Sequence, residues 1–164
     1  MAFDVIDGPR IVHRQEAATL GIRLVTPFRG MLGVRDQLIA ELAGWLDERR
    51  LQTDGPFFLR LHQVDMSADM EIEVGVFGVE HAGDGRVRPG VQPSGDYALL
   101  AYRGSSLQAN RLLLGWGEEV KRSFLADPVS GAWVGRFEII RTDPRLERRK
   151  TAWAIELAFL LEEA

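Results

Sequence analysis

The run WVGRFEII (residues 133–140) places one carboxylate, Glu138, and one guanidinium, Arg136, inside an aromatic, apolar, β-prone stretch. A carboxylate under apolar walls loses its hydration, and a bound organic cation would restore an electrostatic partner. A plainer reading stands beside it, because acidic side chains on a solvated strand face are common. Arg136 adds a third: folded onto Glu138, it would already fill the cation site. Other chemistry is thinly represented. His13, His62 and His81 are scattered and no serine stands in a nucleophile-elbow context, so no hydrolytic triad is legible. The absence of cysteine excludes thiolate chemistry, disulfides and Cys-based metal sites. GDGRVRPG (83–90) lacks the strand and helix that frame a phosphate-cradling loop, and DMSADME (65–71) is too short for a calcium loop. Neither a cofactor nor a metal is expected.

The elements that would position Glu138 follow from periodicity. Strand signals run through 10–26, with a break around Ala17–Ala18, and through 57–64, 70–78, 96–104, 132–141 and 151–161. Helical spacing over 31–50 sets Leu38, Leu42, Trp45 and Leu46 together; over 107–122 it gathers Leu112, Leu113 and Trp116. EHAGDGRVRPGVQPSG (80–95), rich in Gly and Pro, reads as a surface linker. The order strand–helix–strand–strand occurs twice, and LAGWLDE (42–48) lies over LLGWGEE (113–119). FLRLH (58–62) lies over VGRFE (134–138), which pairs His62 with Glu138. A duplicated unit follows, with pseudo-repeats at roughly 10–79 and 93–162 joined by a linker at 80–92, all in one domain spanning 1–164.

The expected fold class is α+β: an antiparallel sheet with two helices on one face and a central groove. Alternation puts Phe57, Leu59, Leu61, Trp133, Phe137 and Ile139 under the helices. The opposite face would carry Arg60, His62, Glu71, Glu73, Arg136, Glu138 and Glu156, an open and acidic surface.

Apolar residues make up 46% of the 164 and charged residues 27%, the balance of a globular protein rather than a disordered one. The net charge of −4 argues against duplex binding, which needs clustered Lys and Arg; only RLERRK (145–150) is locally basic. No apolar run approaches membrane-spanning length and no secretory signal opens the chain, so a cytoplasmic location is the expectation.

The second half resembles the GyrI-like small-molecule-binding family, also called AraC-type effector-binding domains. PSGDYALLAYRGSSLQANRLLLGWGEEVKR (93–122) carries the resemblance, followed by RFEIIRTDP (136–144) and the closing strand AWAIELAFLL. ELAGWLDER and GPFFLRLH extend it into the first half, so it covers roughly residues 8–162. The resemblance implies paired strand–helix–strand–strand units around a groove. It also implies a role for Glu138 as the acidic residue that attracts lipophilic cations in several members. Two departures weaken that role: Ile140 stands where a Tyr is expected, and Ser106 where an aromatic is often found. Trp133, Trp153, Tyr97, Tyr102 and Phe58 are the candidate aromatic walls, and His62 would disfavour cations at low pH.

The leading expectation is a non-catalytic binder of small hydrophobic molecules, lipophilic cations among them, with Glu138 as anchor. One alternative is a hydrolase of the same fold in which Glu138 positions water or protonates a strained electrophile. Another is a gyrase-inhibitor-like protein docking through an acidic face. Neither direct nucleic-acid binding nor membrane association is expected, and a transcriptional role would need a separate regulator protein.

Overall fold

The computed structural model describes residues 2–164. In chain order the elements are β1 (Phe3–Arg14), β2 (Ala17–Pro27), α1 (Met31–Glu48), β3 (Phe57–Gln63), β4 (Asp69–Phe77) and β5 (Val87–Gln92). There follow β6 (Gly95–Gly104), α2 (Ser106–Glu119), β7 (Arg136–Ile140), a single 3₁₀ turn (Lys150–Ala152) and β8 (Ile155–Leu160). The strands form one antiparallel sheet in the order β1-β6-β8-β7-β3-β4-β2-β5. The order strand, helix, strand, strand runs through β2-α1-β3-β4 and again through β6-α2-β7-β8, and β3 meets β7 at the centre.

Several expected boundaries change, among them the strand expected at 132–141, which is Arg136–Ile140. The single broken strand at 10–26 is two strands, and they lie near opposite ends of the sheet. The expected linker contains β5, which pairs with β2 along Ala17–Ile22. Pro89 and Gly90 obscured that strand, but β5 is an edge strand, where a missing backbone donor can face outward. The last strand starts at Ile155, after the 3₁₀ turn, rather than at 151.

The sheet is strongly curled. β1 and β2 stand six strand spacings apart in the order, about 29 Å in a flat sheet. Yet only Gln15 and Glu16 join them, a link that spans about 10 Å at most. Pro93 and Ser94 join β5 to β6 under the same constraint. Arg60 on β3 shows the direction of the curl, since its Nη1 donates to the carbonyl of Val91 on β5 at 2.9 Å. The side carrying Arg60 is therefore concave, and both helices cover the convex side.

The core follows this division. On the convex side Leu59, Leu61, Ile72, Val74, Leu157 and Phe159 pack under Leu38, Leu42 and Leu46 of α1 and Ala109 and Leu113 of α2. On the concave side Phe58, Tyr97, Phe137, Ile139, Ala158 and Leu160 form a second cluster. Phe58, Phe77 and Phe137 stack there with centroids 4.8–6.1 Å apart. Gly75 makes room for them, because a Cβ there would lie 2.3 Å from the Phe58 ring.

The two faces of β7 are the reverse of the expectation. Glu138 pairs in register with Leu59 and Leu157, so Arg136 and Glu138 face the helices, while Phe137 and Ile139 face the concave side. Alternation could not settle this, because all five residues of β7 are buried and neither face is solvated. His62 and Glu138 consequently lie on opposite faces, so the sequence alignment that pairs them does not place them equivalently.

Candidate ligand-binding cavity

A cavity of about 530 Å³ opens on the convex side, over the β3–β7 seam and between the first turns of the two helices. Such a volume lies in the ~300–1,000 Å³ range of small-molecule sites. Glu138 and Arg136 on β7 and Leu61 on β3 line it from the sheet. Gly30, Met31 and Leu32 line it from the start of α1, and Ser106, Asn110 and Leu114 from α2. Local sequence fixes these starts. Gly30, at φ 84°, turns the chain into α1 from a left-handed conformation that other residues adopt at a cost. Ser105 caps α2 by accepting from the Gln108 amide at 3.2 Å. Met31, Met66 and Met70 all line the cavity, so every methionine after residue 1 is gathered here.

Glu138 is 5% exposed and, among the described residues, forms no ion pair. Burial raises its pKa above the ordinary carboxylate value; Arg136, Arg35 and the Asn110 amide pull the other way. Arg136 does not fold onto it. Its Nη2 donates to Asn110 Oδ1 at 2.8 Å, and its guanidinium stacks on Trp133 and Phe159, 4.3 and 4.7 Å from the ring centroids. Burial lowers the pKa of Arg136, with Glu138 opposing, and its Nε is buried without an acceptor.

The candidate aromatic walls do not converge on this cavity. Tyr102 is fully buried on the convex side, its hydroxyl is unpartnered, and burial followed by the charge of Glu138 raises its pKa. Trp133 reaches the site only through Arg136. Trp153 lines a separate depression of about 350 Å³, and the buried Arg35 guanidinium lies 5.2 Å from its ring. Phe58 and Tyr97 belong to the concave cluster; Tyr97 donates to the carbonyl of Pro93 at 2.6 Å, and burial pushes its pKa up to about 12. His62 is also concave-facing and buried, 2.9 Å from Glu73.

The expected open acidic face is absent as well. Glu71 pairs with Arg23 at 3.1 Å, and Glu156 pairs with Arg14 at 2.6 Å and with Arg141. With Glu73 on His62, these carboxylates are partnered. Residues that periodicity did not single out complete the cavity: Asn110, Arg29, Arg111 and the three methionines. Asn110 had a signal, since it stands four residues after Ser106 on one helix face and its Nδ2 donates to the Ser106 carbonyl at 2.9 Å.

No family model and no curated protein sequence matches the chain. Solved structures do. The EcmrR–DNA complex superimposes with a TM-score of 0.73 at 14% identity, covering 99% of this chain and 58% of that one. The EcmrR C-terminal domain gives 0.64 at 14% identity and covers 100% of both chains. SAV2435 bound to tetraphenylphosphonium gives 0.62 at 12% identity, covering 99% of this chain and 94% of that one. The chain spans a little under three-fifths of the EcmrR chain seen on DNA. These likenesses show the fold, an α+β antiparallel sheet with two helices, and agree with the GyrI-like resemblance read from the sequence.

Proposed function

We infer that this protein binds a small, mostly apolar molecule in the cavity between the helix starts, with Glu138 as a polar anchor. The observation that carries this reading is an unpaired, 5% exposed carboxylate at a cavity of about 530 Å³ whose walls hold all three internal methionines. Methionine side chains are flexible and polarizable and adapt to guests of varied shape. The two strand–helix–strand–strand units meeting at β3 and β7 read as an internal duplication with the binding site astride its seam. SAV2435, which shares the fold, holds tetraphenylphosphonium. A lipophilic cation in this chain would meet Glu138, and it would meet Arg136 beside it.

A thermal-shift measurement with 1-octanol tests the reading. At ten times its dissociation constant, octanol is expected to raise the melting temperature by about 3 °C or more. Leu114→Trp, which fills the cavity from α2, is expected to abolish that shift. The absence of a shift in the wild type, or an equal shift in Leu114→Trp, would sink the reading.

A further inference from the structure

Three guanidinium groups surround the cavity: Arg29 before α1, Arg111 on α2 and Arg136 on β7. Among the described residues none of the three forms an ion pair, whereas nine of the other fifteen arginines do. Acidic residues outnumber basic ones in this chain, 24 to 20, so the missing partners reflect the local arrangement rather than a shortage of carboxylates. Arg136 is the most telling. It is 7% exposed, one of its donors is taken by Asn110, and its Nε has no acceptor. A guanidinium keeps its proton even here, so the fold maintains a buried charge in contact with two aromatic faces and one amide, with Glu138 near it but not ion-paired to it.

The backbone adds to the same sign. Both helices start at the cavity and neither carries an acidic residue in its first turn. Each N-terminus presents roughly half a positive charge with no acidic residue in its own first turn to offset it. Against this stands one carboxylate, Glu138, which burial holds toward its neutral form.

We propose that the cavity selects a hydrophobic carboxylic acid: the apolar body lies against the methionine-lined wall, and the carboxylate sits on Arg136 with Arg111 and Arg29 at the rim. A carboxylate matches the planar donor fork of a guanidinium. Glu138, when protonated, donates a hydrogen bond to the same head group. A quaternary ammonium guest of equal length meets three cations and two helix N-termini against the single carboxylate of Glu138. The proposal rests on the binding reading above and adds the sign of the ligand's charge.

The test is calorimetric titration of the intact chain with octanoate, 1-octanol and octyltrimethylammonium at neutral pH and low salt. Octanoate is expected to bind at least tenfold more tightly than octanol, with the ammonium weakest. Arg136→Gln brings octanoate down to the level of octanol measured in the same variant. Arg111→Gln changes an exposed residue that the fold does not need, and it weakens octanoate two- to threefold relative to octanol. Tightest binding of the ammonium, or equal binding of octanoate and octanol by the wild type, overturns the charge assignment and leaves the binding reading intact. Failure of all three probes overturns both.

Discussion

The two faces of the sheet handle buried charge in opposite ways. On the concave face Glu73 has His62, Glu156 has Arg14 and Arg141, and Arg60 donates to the carbonyls of Val91 and Val134. Each of these residues has a partner in the protein, although Arg60 Nε has no acceptor, and the contacts Arg14–Glu156, His62–Glu73 and Arg60–Val91 each join two strands and so tie the curl together. On the convex face Glu138 and Arg136 stand beside a cavity, and neither forms an ion pair among the described residues. Desolvating a charge costs several kcal/mol unless other groups offset it, so the fold bears that cost on one face and cancels it on the other. The difference separates charges that build the architecture from charges that, on the proposed binding reading, are left for a guest.

Substitutions can break this contrast or sharpen it. Phe137→Ala strikes the concave cluster, where the ring touches Phe58, Phe77 and Tyr97; it is expected to cost about 3–5 kcal/mol in urea unfolding. Glu156→Ala leaves Arg14 and Arg141 without their carboxylate and is expected to cost about 2–3 kcal/mol, reduced from a fully buried case because Arg141 is half exposed. Glu138→Gln should act in the other direction. Because the folded-state pKa is raised, the native state holds its proton above the ordinary carboxylate range, and wild-type stability falls as pH rises through that window. The glutamine lacks this loss, so the variant should melt higher than wild type at alkaline pH, with the gap closing as pH falls toward the ordinary carboxylate range in scanning calorimetry. Destabilisation by Glu138→Gln at pH 8 would mean that the carboxylate is architectural after all. Arg111→Gln, exposed and unpaired, is expected to change unfolding by no more than about 0.5 kcal/mol.

Most elements were legible because their periodicity was strong. Leu38, Leu42 and Leu46 marked α1, the alternation of Ile72, Val74 and Val76 marked β4, and Tyr102 closed an unambiguous β6. What failed was orientation where both sides of a strand are covered. In β7 the aromatic at Phe137 suggested a core-facing parity, yet each face of this strand meets a core, and only pairing with Leu59 and Leu157 assigns Glu138 to the helix side. The candidate aromatic walls lie away from the cavity for a related reason, since Phe58 and Tyr97 belong to a second core whose existence depends on the curl. Glu138 itself was legible as a carboxylate in an apolar run. Its cationic neighbours Arg29 and Arg111 were not, because they join it only through the packing of two helix starts separated by 75 residues of chain.

The two-residue joins at Gln15–Glu16 and Pro93–Ser94 also govern the order of assembly. β1 emerges first during synthesis, yet its partner β6 is not made until roughly eighty residues later, so the leading strand waits unpaired while β2 to β5 take shape. Contacts of such sequence separation slow folding, and they interlock the halves. A fragment cut within 80–92 would leave β1 without β6 and either half with open strand edges, so such fragments should aggregate when produced separately and should recover a soluble form when co-expressed.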